Sequence, residues 1–137
     1  PSSITKMSAQ DFFGDQMLIT LDGHYLKPWK GLSKSDGWRV TIAPQLEDCD
    51  LWCINDVKGK AVFKTAQGKY LSAFEHGLVR LVNQPHSWEM WTPFRHEDRT
   101  WSFRSYHGTW LTVDREQGIV CTIPQYDCSE RFWIEGW

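Results

Sequence analysis

One glycine-centred pattern recurs three times in this chain. Each copy carries an apolar residue, a Thr or Ser and a turn glycine, followed by an aromatic residue and a leucine. The copies, centred on Gly23, Gly68 and Gly108, run over 18–27, 63–72 and 103–112, so that Leu18, Phe63 and Phe103 share a column. Because β-forming residues flank the glycine each time, the pattern predicts a repeated pair of short strands joined by a turn.

Two further landmarks recur at a period of roughly 40 to 45 residues. A second glycine opens another short apolar segment in each repeat, at Gly37, Gly77 and Gly118. Each repeat then closes on a large apolar residue directly followed by tryptophan; these pairs are Leu51-Trp52, Met90-Trp91 and Phe132-Trp133. The landmarks predict about four strands per repeat, with repeats at about 16–56, 57–96 and 97–137 behind an N-terminal arm over 1–15.

Three repeats restrict the closed architectures that the chain can adopt. A propeller needs about 4–8 blades, and a solenoid would leave open ends that require capping repeats. A length of 137 residues suits one domain. We therefore predict a single all-β domain over 1–137, a β-trefoil of four-strand repeats with pseudo-threefold symmetry.

This architecture makes specific predictions about the core. We expect the leucines after the turn aromatics to point inward, together with the closing tryptophans or their apolar neighbours, and we expect positive φ at the turn glycines. The inward residues are predicted to be Leu26, Leu71 and Leu111, with Trp52, Trp91 and Trp133 or the residues beside them.

Composition excludes several functional classes. The 15 basic and 17 acidic residues give a net charge of -2, whereas a nucleic-acid-binding surface needs an excess of positive charge. No apolar run approaches the roughly 20 residues of a membrane span, and the N-terminal residues lack the apolar segment of a secretory signal. We expect no nucleic-acid partner, no membrane span and a cytoplasmic location.

No catalytic or phosphate-binding motif is present in the sequence. The four cysteines form no CxxC pair, and scattered histidines have no metal-ligand spacing. Cys53 and Cys121 fall on predicted strands, where we interpret them as core thiols. These observations predict a binding module that is not an enzyme and holds no cofactor and no metal.

Residues 59–73, residues 103–114 and Gly118-Ile119-Val120-Cys121 carry a pattern that resembles the fascin-like β-trefoils, the group that includes the fascins and the hisactophilins. The resemblance covers most of residues 16–135. It implies a protein partner, with filamentous actin as the ligand, and exposed lysines would make the contact. The candidate protein-binding residues are Lys27, Lys30, Lys34, Lys64 and Lys69. The chain has five histidines, so the resemblance does not imply a histidine-driven contact.

An excess of tryptophan supports a second hypothesis, glycan binding. The chain has nine tryptophans, and the closing positions of the repeats account for three of them. Sugars stack on aromatic side chains while polar neighbours provide hydrogen bonds. The candidate carbohydrate-binding residues are Trp29, Trp88, Trp101 and Tyr126. The Gln-x-Trp signature of ricin-type lectins is absent, and the extra tryptophans lie at non-equivalent positions, which favours protein binding. The alternative for these aromatic residues is that they fill the ends of the barrel.

Overall fold

The computed structural model describes residues 5–6, 14–17, 19–21, 23–30, 37–45, 51–125 and 130–134. In these ranges the chain forms fourteen β-strands and two short 3-10 helices. The strands are β1 (Thr5–Lys6), β2 (Gly14–Met17), β3 (Ile19–Leu21), β4 (His24–Lys30), β5 (Trp38–Ala43), β6 (Trp52–Val57), β7 (Lys60–Thr65), β8 (Tyr70–Ala73), β9 (Val79–Val82), β10 (Thr92–Arg95), β11 (Trp101–Arg104), β12 (Trp110–Asp114), β13 (Ile119–Ile123) and β14 (Trp133–Ile134). The 3-10 helices are Glu75–Gly77 and Ser87–Glu89.

A closed barrel is formed by the first and last strands of each repeat. Adjacent repeats are joined by antiparallel pairing of β6 with β7, of β10 with β11, and of β14 with β3. Within a repeat, β2 pairs with β6, Ala61 bridges to Trp91, and Trp101 bridges to Phe132. In the described residues these pairings run from β2 and β3 around the barrel and back to β3, so the described wall closes on itself.

The middle strands form three hairpins that meet in a cycle. The hairpins are β4–β5, β8–β9 and β12–β13. The contacts between them pair Trp38 with Leu81, Leu78 with Cys121, and Ile119 with Thr41. A barrel of this kind with three hairpins in a ring is a β-trefoil, which confirms the predicted fold.

The core follows the sequence repeat. Leu26, Leu71 and Leu111 are fully buried, as predicted. Around them, Phe63 and Phe103 pack edge to face with ring centroids 4.9 Å apart. The turn glycines Gly23, Gly68 and Gly108 have φ values of 84°, 82° and 81°, which confirms the predicted left-handed turns.

The buried closing aromatic residue is a tryptophan in repeats one and two and a phenylalanine in repeat three. Trp52 and Trp91 are fully buried, and their indole N–H groups donate to the carbonyl oxygens of Leu26 (2.9 Å) and Leu71 (3.1 Å). In repeat three Phe132 is the buried residue, whereas Trp133 is 45% exposed. The prediction of an inward tryptophan or apolar neighbour is confirmed, with the neighbour inward in repeat three.

The alignment of repeat one is wrong by one residue. The register pairs are Lys64 with Tyr70, Arg104 with Trp110, and Thr20 with Tyr25. The turn of repeat one is therefore shorter by one residue, and the buried Ile19 is the equivalent of Phe63 and Phe103. Leu18, which the sequence alignment placed in that column, lies outside the described residues.

Three smaller predictions concern the cysteines, the arm and the membrane. Cys53 and Cys121 are only half-buried, so the prediction of core thiols is wrong in degree. In the predicted arm, β1 pairs with β10. The limits of the repeats and of the domain stay predictions.

In the described parts of the chain, no helix has the length and apolar character that a bilayer crossing needs.

Candidate functional site

A cleft of about 520 Å³ opens on the surface of repeat two. It lies along β8 and the end of β9, against the 3-10 helix Ser87–Glu89. β9 ends at Val82, opposite the first residue of β8, and the segment that follows forms the other side of the cleft. The lining residues are Ser72, Phe74, Val82, Asn83, Gln84, His86, Ser87, Trp88 and Glu89.

Glu89 fixes the conformation of the cleft wall. Its side chain is only 4% exposed. One carboxylate oxygen accepts a hydrogen bond from the Ser72 hydroxyl, and the other accepts one from the backbone N–H of His86. The second bond belongs to a capping box at the start of the 3-10 helix. A buried carboxylate is stable only with such partners, so Glu89 acts here to position Trp88.

Four rings form an aromatic chain along this surface: Phe74, Trp88, His107 and Tyr106. Trp88 packs edge to face against Phe74 (centroids 5.3 Å apart) and against His107 (4.9 Å). His107 Nε2–H donates to the carbonyl oxygen of Ala73 at 2.9 Å. Tyr106 lies 5.5 Å from His107 and is 64% exposed. The aromatic chain therefore links the turn of repeat three to the cleft of repeat two.

A second, smaller cleft of about 280 Å³ adjoins the first. Ser87 lines both clefts. Lys60 stands in the wall of the smaller cleft, where its ammonium group donates to the Thr92 hydroxyl at 2.6 Å. The lining residues are Lys60, Ser87, Met90, Thr92, Ser105 and Tyr106.

The predicted carbohydrate-binding residues do not converge. Trp88 lines the first cleft and is half-buried. Trp29 is 38% exposed on β4 and lines neither cleft. Trp101 is fully buried in the barrel and stacks with Phe103 (centroids 6.4 Å apart), so its assignment as a ligand contact is wrong. Tyr126 lies outside the described residues.

The lysines predicted to contact a protein fall into two groups on different hairpins. Lys27 is half-buried and Lys30 is exposed, both on β4. Lys64 and Lys69 flank the turn between β7 and β8. Lys34 lies outside the described residues.

In the second group, both side chains contact neighbours within their own repeat. The Lys64 ammonium lies over the ring of Tyr70, 5.8 Å from its centroid. Lys69 donates to the side-chain oxygen of Asn83, which lines the first cleft. Lys69 is therefore the described lysine of the predicted set that borders the candidate site.

Sequence reasoning missed the residues that support Trp88, above all Glu89 and His107. A sequence signal for Glu89 existed. Glu89 and Glu130 each lie two positions before the buried closing aromatic of their repeat, and both are buried. For His107 the sequence indicated only a tolerant turn position, because its contact with Trp88 joins residues of different repeats.

No protein-family model matches the chain, and no curated protein matches it either. Solved structures do. The GlcNAcα1-4Gal-releasing endo-β-galactosidase from Clostridium perfringens has a TM-score of 0.74 at 13% identity; the match covers 87% of this chain but 31% of the enzyme. A structure of SeviL bound to asialo-GM1 saccharide has a TM-score of 0.70 at 13% identity, covering 90% of this chain and 97% of SeviL.

Hisactophilin is also similar, with a TM-score of 0.66 at 23% identity, covering 88% of this chain and 96% of hisactophilin. The structure of hisactophilin is itself described as similar to interleukin-1β and fibroblast growth factor. This chain is a β-trefoil. At these identities the likeness establishes the fold, and the chain spans about a third of the endo-β-galactosidase.

Proposed function

We propose that this protein binds a saccharide in the cleft of repeat two, with the Trp88 indole as the stacking platform. The observation that carries the proposal is a half-buried tryptophan in a concave wall, bordered by the amide and imidazole side chains of Asn83, Gln84 and His86. A pyranose presents an apolar face and a rim of hydroxyl groups, and this lining matches both.

The cleft is suited to a small ligand in volume and in rigidity. Its volume of about 520 Å³ lies within the range of about 300–1,000 Å³ that ligand pockets occupy. Phe74 and His107 hold Trp88 from two sides, and Glu89 anchors the 3-10 helix that carries it. A ring held before the ligand arrives lowers the entropic cost of binding.

The similar structures support this proposal. SeviL was solved with a saccharide, and the endo-β-galactosidase is named for a saccharide substrate. The proposal transfers only the ligand class to this chain. It places no reaction in the cleft, because Glu89 already accepts two hydrogen bonds and has no second carboxylate beside it in the lining.

A glycan array followed by calorimetry tests the proposal. We expect Trp88→Ala to weaken binding of the best array hits by about tenfold or more, equivalent to at least about 1.4 kcal/mol. Trp29→Ala is the matched control, since Trp29 is exposed but lines neither cleft. An empty array, or equal affinities for the wild type and Trp88→Ala, would refute the proposal.

Filamentous actin in the cytoplasm is the second candidate. The resemblance to the fascin-like trefoils supports it, as do the exposed Lys30 and the similarity to hisactophilin. Co-sedimentation at low and high salt tests it, because contacts between exposed charges weaken with salt. We expect Lys27→Glu with Lys30→Glu to reduce pelleting, with Lys64→Glu as a separate variant. Pelleting that responds to neither salt nor charge reversal would rule out these lysines.

A further inference from the structure

We infer that the saccharide is an acidic oligosaccharide, whose second residue occupies the smaller cleft and places a carboxylate or sulfate group at Lys60. This inference rests on the proposed function and deepens it, because it specifies the length and the charge of the ligand.

The first argument is that the two clefts meet at Ser87, which lines both. Ring contacts connect Trp88 of the first cleft through His107 to Tyr106 of the second. A sugar stacked on Trp88 therefore has a neighbouring space of about 280 Å³ for the next residue of the same glycan. A monosaccharide would leave that space and the Tyr106 ring unused.

The second argument is the chemistry of the smaller cleft. Tyr106 presents a ring that is 64% exposed, as a stacking surface requires. Ser87 and Thr92 contribute hydroxyl groups, whereas the buried Ser105 hydroxyl is used within its own turn, where it bonds to the Thr109 hydroxyl at 2.6 Å and accepts the backbone N–H of His107. An exposed ring beside hydroxyl groups suits a second sugar better than an apolar ligand.

The third argument is charge. Among the six residues that line the smaller cleft, Lys60 carries the charged side chain. Its bond to the Thr92 hydroxyl holds the ammonium group at the wall of the cleft. A positive group beside a sugar subsite favours an anionic substituent. The Glu89 carboxylate lines the other cleft, where it accepts hydrogen bonds from Ser72 and His86, and it is not part of the lining of the smaller cleft.

The test compares oligosaccharides of equal length that differ only in charge. One series is neutral, one carries a carboxylate and one carries a sulfate, and their affinities are measured by calorimetry at low and high salt. We expect the wild type to prefer one acidic series about tenfold over the neutral one at low salt. Lys60→Gln is expected to remove that preference, whereas Lys60→Arg preserves it.

Arg115→Gln provides the charge-matched control. It removes the same unit of charge from an exposed residue in the turn between β12 and β13 and is expected to leave every oligosaccharide affinity unchanged. Melting temperatures of the variants confirm that each is folded. The carboxylate and sulfate series distinguish the two sources of negative charge.

Each outcome decides between the two proposals. If neutral glycans bind through Trp88 and acidic ones bind no better, or if Lys60→Gln leaves acidic binding unchanged, the acidic-ligand inference is overturned and the proposed function survives. If no oligosaccharide of any series binds, the proposed function itself is wrong. A monosaccharide that binds as tightly as the oligosaccharide would overturn the assignment of the second subsite.

Discussion

The turn at Gly68, between β7 and β8, and the turn at Gly108, between β11 and β12, have the same backbone hydrogen bonds but different side-chain contacts. In both, a glycine at positive φ donates to the carbonyl oxygen three residues before it. In both, a hydroxyl side chain at the first position accepts a backbone N–H four residues later. In the first turn the Thr65 N–Lys69 O distance is 2.8 Å and the Gly68 N–Thr65 O distance is 3.0 Å. In the second turn the Ser105 N–Thr109 O distance is 2.7 Å and the Gly108 N–Ser105 O distance is 3.0 Å.

The difference lies in the two exposed residues at each tip. Repeat two has Ala66 and Gln67 there, whereas repeat three has Tyr106 and His107. In the second pair, His107 contacts Trp88 of the neighbouring repeat, and Tyr106, which lines the smaller cleft, contacts His107. The comparison teaches that the repeat determines the backbone, while the candidate site arises where the side chains depart from the repeat.

The largest expected effect comes from disrupting the backbone conformation that the two turns share. Replacing Gly68 or Gly108 by Val forces a β-branched residue into φ near +80°, and we expect each variant to lose about 1–2 kcal/mol or more of unfolding free energy. At Gly68 an added Cβ meets no atom within 4 Å, so the loss there is conformational. At Gly108 it meets the flexible end of Arg104 at 3.3 Å.

Urea denaturation measures both variants. Gly68→Asn is the control, because Asn tolerates the left-handed region and is expected to lose less. A substantial loss in one turn and none in the other would show that the two turns are not equivalent.

A smaller effect is expected from exchanging the turn tips. Tyr106→Ala with His107→Gln converts the tip of repeat three to that of repeat two. We expect a loss of about tenfold in affinity for the acidic oligosaccharide, and a stability change within about 1 kcal/mol, since one hydrogen bond to Ala73 is removed.

The reciprocal exchange, Ala66→Tyr with Gln67→His, is expected to change neither affinity nor stability appreciably, because Trp88 contacts the other turn. Calorimetry on both double variants makes the comparison. A gain of affinity in the reciprocal variant would contradict the assignment of the site to the tip of repeat three.

The smallest expected effect at neutral pH is on unfolding free energy, and it concerns a third turn with the same two backbone hydrogen bonds. His96 N–H donates to Thr100 O at 2.9 Å, and Arg99 N–H donates to His96 O at 3.0 Å. Here a histidine replaces the hydroxyl residue at the first position. His96 is buried and bonds to the Ser102 hydroxyl at 2.7 Å. Burial, and then the positive charge of Arg131, lower the pKa of His96 below its ordinary value of 6.5, while Asp98 acts in the opposite direction.

A lowered pKa in the folded state determines the direction of the pH effect. The unfolded chain binds the proton at a higher pH than the folded protein, so unfolding free energy is at its plateau above about 6.5 and falls as the pH decreases below that value. Denaturation between about pH 5 and 8 measures this, with His96→Gln as the comparison. The variant is expected to show a flatter profile, and identical slopes would contradict the assignment to His96.

Much of the fold was predictable because the signal is local and repeated. A glycine followed by an aromatic residue and a leucine specifies a turn and an inward position within a few residues, and Leu26, Leu71 and Leu111 confirmed it. The register of repeat one was not predictable in this way. Turn length, rather than the glycine, decides which residue faces the core, and this placed Ile19 there.

The candidate site was predictable only in part. Trp88 was among the residues named from the sequence, but Trp101 was named with it and lies in the barrel interior. Both are tryptophans next to polar residues, and nothing local separates them. Phe132, from the far end of the same repeat, bridges to Trp101, and only the closure of the barrel brings the two together.

The sequence by itself determined the threefold repeat, the alternation of strands and turns, and the positive φ of the turn glycines, since each depends on a few neighbouring residues. Only the tertiary structure decided which aromatic residues are buried, where Glu89 finds its partners, and that His107 meets Trp88. The Ser72–Glu89 contact joins different elements of repeat two, and the Trp88–His107 contact joins repeats two and three. Both form because folding brings together residues that lie far apart in the chain.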